Sequence, residues 1–369
     1  MLMANLAIIG ASYLQLPLIK KAKDMGYVTH VFAWAAGDVG ETEADYFYPI
    51  SIIERDAILE KCREIGICGI CSIASDLAML TVNYVANALG LTGNSMEATR
   101  KSTNKHLMRQ TFEANGDPSP LSLEVDSDTN LSALRLNYPI IVKPTDHSGS
   151  RGIFKLDSPF GLEEAVRAAM TESFEKKALI EEFADGQEYS IEYISYKGQH
   201  HFLAATLKFT TGAPHFIETG HREPAPLSEQ TLQRIQTVVP HALDSLGLEN
   251  GASHTELKID DCGHIRLIEI GGRMGGDCIG SDLVRYSTGY DFVRMVIEVA
   301  CGYAPTFEQV ERPRTVESRF IFTQDDLNAF EMLRREHPDK ILKVVDYHPE
   351  NIGHTTDSSN RAGCYIVEI

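Results

Sequence analysis

Two acids give the first sign of chemistry. Glu256 in "HTELKID" and Glu269 in "IRLIEIGG" lie on apolar, strand-like runs joined by the tight "DCG" turn, so hairpin pairing would bring them to neighbouring positions. Carboxylates that close repel one another unless a cation lies between them. Magnesium on nucleotide phosphates takes one or two carboxylates and fills its shell with phosphate and water oxygens, an arrangement this hairpin can supply. Solvated strand glutamates are the plainer alternative, but Leu257, Ile259, Leu267 and Ile268 surround the pair with apolar neighbours. The next residues, "GGRMGGD", suggest a dinucleotide loop at first sight. G-x-G-x-x-G requires a spacing that Gly271, Gly272, Gly275 and Gly276 do not have.

A second group reads as phosphate chemistry. Lys143 closes the apolar run "PIIVKP", where a buried ammonium is costly without a negative partner. The loop from Asp146 to Gly152 follows, and its small residues let successive backbone N–H groups turn toward one anion. It is not the P-loop, whose G-x-x-x-x-G-K-[ST] pattern is absent, and alone such a loop is as often a flexible linker. Lys105 lies inside a helix, where a solvated surface lysine is the plain reading. Two lysines, a glycine loop and an acid pair together are explained most economically by an ATP site.

Several elements must position these groups. Residues 4–34 read as strand, turn, helix, strand, and the pattern repeats to about residue 95, giving an open, mostly parallel α/β domain. The turn "GASYLQ" after the first strand lacks the later fingerprint glycines, which disfavours an NAD-dependent enzyme built on this domain. A helix capped by Ser102 or Thr103 should then run to Gly116, with Pro118 and Pro120 closing a boundary. Strands joined by hairpins, the helix "EQTLQRIQTVVPHALDSLG" and the acid-bearing hairpin come next, and residues 303–369 form a tail with one helix.

Bulk properties narrow the classes. At 369 residues the chain should hold two or three domains, because single cores seldom grow past roughly 250 to 300 residues. A formal charge of −18 argues against nucleic acid or an acidic membrane as partner. No basic n-region opens the sequence and no apolar run approaches a membrane span, so a cytoplasmic protein is expected. Cys62, Cys68 and Cys71 lack the paired spacing of a zinc site and read as buried small hydrophobes.

The order Lys105, Lys143, glycine loop, "IEEFADGQEYS", "HTELK", "EIGGR" resembles the ATP-grasp superfamily over about residues 4–300. Within it the chain is similar to carbamoyl-phosphate-synthase-like carboxylate–amine ligases, notably bacterial L-amino-acid ligases. The resemblance implies an α/β chain: a Rossmann-like parallel sheet over 1–100, a lid subdomain over 101–178, a large subdomain over 179–302 and a small extension over 303–369. It implies that Lys105 and Lys143 bind the α- and β-phosphates, and that the loop of His147, Ser148, Gly149, Ser150 and Gly152 covers the β- and γ-phosphates. Glu181 would meet the adenine amino group, Glu182, Phe183 and Ala184 would give hinge contacts, and Glu188 would accept the ribose hydroxyls. Glu256 and Glu269 would hold Mg²⁺, for which Mn²⁺ is an acceptable substitute, and Arg273 would steady the γ-phosphate or an acyl phosphate. Where the family often has asparagine, this chain has Gly271, which implies a shift in metal coordination.

"HFIETGHREPAPLSE" and His254 are the expected substrate elements. Arg222 can clamp a carboxylate bidentately, Glu218 and His221 precede it in the same segment, and His254 or His221 can contact the acyl phosphate or the amine. Gly271 and Gly272 would let nucleotide and substrate approach the main chain. The implied reaction activates a small carboxylate with ATP and passes it to an amine, with a homodimer as an open possibility. The competing reading is a nucleotide-binding sensor or scaffold that kept the fold and lost turnover.

Overall fold

The structure is a computed structural model, described for residues 4–146, 152–212, 217–352 and 361–369. The first sheet is parallel: β1 (Asn5–Ile9), β2 (Val28–Phe32), β3 (Tyr46–Tyr48) and β4 (Gly69–Cys71) stand in the order β3-β2-β1-β4. Leu6 and Ile8 of β1 enter one apolar cluster, Ala7 and Ile9 another, because helices cover both faces. After β4 comes the helix Asp76–Leu89. Ser75 caps it by accepting from the Ala78 amide, a contact of about 1 kcal/mol, and the left-handed Gly90 ends it. Its first residue, Asp76, therefore sits beyond the carboxyl end of β4, where open α/β sheets gather ligands.

The helix expected from Ser102 or Thr103 to Gly116 is Lys105–Asn115, ending at Gly116 as expected, and Ser102 and Thr103 instead close a separate preceding helix, Met96–Thr103. Asn104 adopts an extended backbone between them and its side chain accepts from the Leu107 amide, so it is the cap. Ser102 and Thr103 instead donate back to the Thr99 carbonyl inside the first helix.

The second sheet is small and antiparallel. β5 (Ser122–Val125), β6 (Ile140–Pro144), β7 (Phe154–Leu156) and β8 (Ala178–Glu182) take the order β5-β8-β6-β7, under the helix Leu162–Glu172.

The third sheet builds the site. It contains β9 (Gln187–Tyr196), β10 (Gln199–Thr210), β11 (Glu218–Glu223), β12 (Gly251–Ile259), β13 (Ile265–Gly271), β14 (Val316–Ile321), β15 (Ile341–Val345) and β16 (Gly363–Glu368). The order is β13-β12-β9-β10-β11-β14-β16-β15, antiparallel throughout. The expected tail thus supplies three strands of this sheet as well as the helix Gln324–Glu336. Side chains alternate along a strand. Ile191, Tyr193, Leu257 and Leu267 pack on one face against the helix Glu229–Leu246. Glu188, Glu192, His254 and Glu256 carry the opposite parity on their strands and share the other face with Lys208 and with Glu269, which a bulge between Leu267 and Glu269 turns to that side.

Cys62 and Cys71 are buried, whereas Cys68 is half-buried with its sulfur 3.8 Å from that of Cys301. Among the described residues no helix is long and apolar enough to cross a membrane.

Candidate active site

The polar face of the central sheet opens on a cavity of about 360 Å³. Glu256 and Glu269 are direct partners in the β12–β13 pairing, and both carboxylates face it. A bulge follows at Glu256/Leu257, so the tight turn sets the pairing while the bulge restores the apolar register of Leu257 with Leu267. Two hard-oxygen donors from opposed positions suit a divalent cation such as magnesium.

Each acid already faces an ammonium. Lys105 Nζ lies 2.7 Å from Glu269 Oε1, and Lys208 Nζ lies 2.7 Å from Glu256, 2.7 Å from Glu218 and 2.9 Å from Glu188. Burial opposes the charge on Lys208, but Glu218, Glu256 and Glu188 hold it protonated far above the usual lysine range. Burial likewise pushes Glu256 upward, and Lys208 with His254 outweighs it, leaving that carboxyl well below the usual range. Sequence reading missed Lys208. The signal was present, since a lone lysine in the apolar run "LAATLKFT" raises the same question as Lys143.

The far end of the cavity is different. Glu181 is 4% exposed and pairs with Lys143 at 2.6 Å and with Arg109 Nε at 2.8 Å, while Arg109 also donates to the Ile268 carbonyl at 2.7 Å. Burial pushes Glu181 up, yet Arg109 and Lys143 hold it down to about 2. Burial, opposed by Glu181, and the Arg109 and Lys105 charges pull Lys143 below the ordinary lysine value. The Glu181 carboxylate is thus committed to ion pairs. Ile141, Ile153, Phe183 and Ile268 add apolar wall nearby, with Glu182, Ala184 and Glu188 along the same rim. A flat base fits the apolar part, and an anionic tail fits the lysine-lined part.

Arg273 closes the opposite side. Its Nε and Nη2 each donate to Asp76 at 3.0 Å, joining the first sheet's helix to the loop after β13. Burial works against its charge, and Asp76 more than compensates. Asp76 also escaped notice in the sequence, because an acid opening a helix reads as ordinary capping. Three of the glycines after Glu269 stand where packing is close, and Gly271 also lines the cavity. A β-carbon at Gly271 would meet Asp76 and Arg273, one at Gly272 would lie 3.1 Å from Leu248, and one at Gly275 would lie 2.6 Å from Glu192 Oε1.

His254 lines the cavity and is hydrogen-bonded through Nδ1 to Glu192, whose other oxygen accepts from the Gly275 amide. Burial lowers its affinity for a proton, but Glu192 raises it to about 9, so the imidazole is charged near neutrality. Glu218 lines the cavity, and His221 stands behind it, fully buried, with Nε2 3.0 Å from Glu218 and Nδ1 3.2 Å from Ser318. Arg222 does not join the site. It pairs with Leu207 while His221 pairs with Lys208, so alternation turns it to the opposite face. Gly152, left-handed at φ 67°, packs near Glu172, and His147, Ser148, Gly149 and Ser150 lie outside the described residues.

Known proteins share this framework. Residues 136–282 match the ATP-grasp domain family. Alanine–anticapsin ligase of Bacillus subtilis is 24% identical over 298 residues, covering 72% of this chain but 63% of the relative, so the chain spans less than two thirds of that protein's length. D-alanine–D-alanine ligase B of Pseudomonas syringae is 27% identical over 191 residues, covering 48% of this chain and 57% of the relative. The crystal structure of an L-amino acid ligase from Bacillus licheniformis aligns with 99% of this chain and 93% of its own, at 26% identity and a TM-score of 0.84. Residues 136–282 thus carry the match to the ATP-grasp domain, and the likeness to the L-amino acid ligase structure runs along the whole chain.

Proposed function

We propose that this protein is an ATP-dependent carboxylate–amine ligase that forms an amide or peptide bond through an acyl phosphate, with an amino acid or similar small carboxylate as substrate. The observation that carries the reading is the opposed pair Glu256 and Glu269, open to one cavity between Lys105, Lys208 and Arg273.

Lys105 and Lys143 hold the nucleotide phosphates in this reading, with the base beside Phe183, Ile141 and Ile268 and the ribose near Glu188. Glu256 and Glu269 hold magnesium, which when bound neutralises phosphate charge. A substrate carboxylate oxygen attacks the γ-phosphorus and ADP leaves. The amine nitrogen then attacks the acyl carbon, phosphate leaves, and the nitrogen gives up a proton. No nucleophilic side chain is needed, since fixed charge and alignment supply the rate. Arg273 and protonated His254 face the transferred phosphoryl and acyl oxygens. Glu218, backed by His221, receives the amino group of the substrate. The four segments 1–100, 101–178, 179–302 and 303–369 remain our proposed working units, although β8 straddles the second boundary and β14 to β16 share the central sheet.

The test is ADP release over a panel of single and paired amino acids with MgATP, followed by mass spectrometry of the product. Amino-acid-stimulated ADP together with a new amide supports the ligase. Well-folded protein that binds ATP but releases no ADP with any member of the panel refutes it and favours a nucleotide-binding sensor.

A further inference from the structure

Position 271 has no room for a side chain. A β-carbon there would lie 2.7 Å from Asp76 Oδ1 and 3.1 Å from Arg273 Nε, and both are side-chain ends rather than backbone. Asp76 reaches this point from a different sheet, as the first residue of the helix Asp76–Leu89, and grips two nitrogens of Arg273 at 3.0 Å each. Such a fork fixes the plane of a guanidinium as well as its place. Both side chains are 16% exposed and line the cavity, so the contact is not a screened surface pair of little consequence. The backbone holds the same junction, with the Ala74 amide donating to the Met274 carbonyl at 3.3 Å.

We propose that Asp76 is a positioning residue that aims Arg273 at the phosphoryl group in transfer, and that Gly271 is bare so that this carboxylate can reach it. The proposal rests on the ligase reading for the group toward which Arg273 points. The fork itself is independent of that reading. An arginine freed to drift by about an ångström costs on the order of a hundredfold in rate.

Asp76→Ala is expected to lower kcat for ADP release by about a hundredfold, while ADP affinity by calorimetry changes less than about twofold, because ADP lacks the group Arg273 meets. Asp76→Glu should recover part of the loss. Gly271→Ala should lower kcat in the wild-type chain by prising the fork apart, yet add nothing to Asp76→Ala, where the crowding oxygen is gone. Near-wild-type kcat in Asp76→Ala, or a Gly271→Ala effect that persists beside it, overturns the proposal. So does equal weakening of ADP and ATP with a fallen melting temperature, the mark of a merely structural residue. Should no amino acid stimulate the wild-type protein, the ligase reading fails alone. Calorimetry then decides: Asp76→Ala and Arg273→Ala must each weaken a non-hydrolysable ATP analogue and spare ADP, and unchanged affinities refute the positioning role.

Discussion

The two ends of the cavity handle charge in opposite ways. At one end Glu181 is 4% exposed and pairs with Lys143 and Arg109, whose side chains are 6% and 4% exposed. At the other, Glu256 and Glu269 are 26% and 24% exposed although Lys208 and Lys105 beside them are nearly buried. In the first set one nearly buried carboxylate is shared by two cations, which fixes Glu181 and leaves one positive charge over. The second keeps its carboxylates open, so in the proposed ligase an arriving cation would take the contacts the lysines hold, and each lysine would turn to an arriving phosphate. Rigidity and exchange are thereby assigned to separate groups within one cavity.

Substitutions of the same chemistry at the two ends should therefore fail differently. Glu269→Gln keeps the volume and removes one open charge. It should cut ADP release by at least about a thousandfold, as expected for loss of a key transition-state charge contact, with a melting temperature close to wild type. Turnover near wild type would remove Glu269 from the metal site. Glu181→Gln instead strands Lys143 and Arg109 in a dry setting and should destabilise the fold by about 3 kcal/mol, read by denaturant titration. If Glu181→Gln left stability intact, the contrast between the ends would collapse.

A smaller effect sharpens the comparison from outside the cavity. Glu223 is fully buried, accepts from Thr206 and from Ser287 at 2.5 Å, and makes no ion pair among the described residues. Burial raises it to about 8. The folded chain thus holds this proton more tightly than the unfolded chain does. The resulting stability is complete below the ordinary glutamate range and is lost as pH rises through about 8. Wild-type stability should decline across that window by up to a few kcal/mol, and Glu223→Gln should flatten this part of the profile. Parallel pH profiles for the two proteins would show that Glu223 is already ionised in the fold.

The hairpin acids were legible in the sequence because a tight turn fixes strand pairing within a few residues. The parallel first sheet was legible too, from repeated apolar runs alternating with amphipathic helices. Arg222 was misread because its direction depends on strand parity across β10 and β11, with an irregularity at Phe209/Thr210. Asp76 and Arg273 are 197 residues apart, and no local pattern announces their contact. The strands of residues 316–368 stayed hidden for the same reason, since their partners lie in β11 and in one another.

Those late strands bear on how far the chain can be shortened. β11 carries Glu218 and His221, and β14 pairs along its outer side. A version ending near residue 302 would leave the β11 backbone donors and acceptors open to solvent and to other chains. Strands whose described residues do not line the cavity thus keep a wall of the site from becoming a template for self-association.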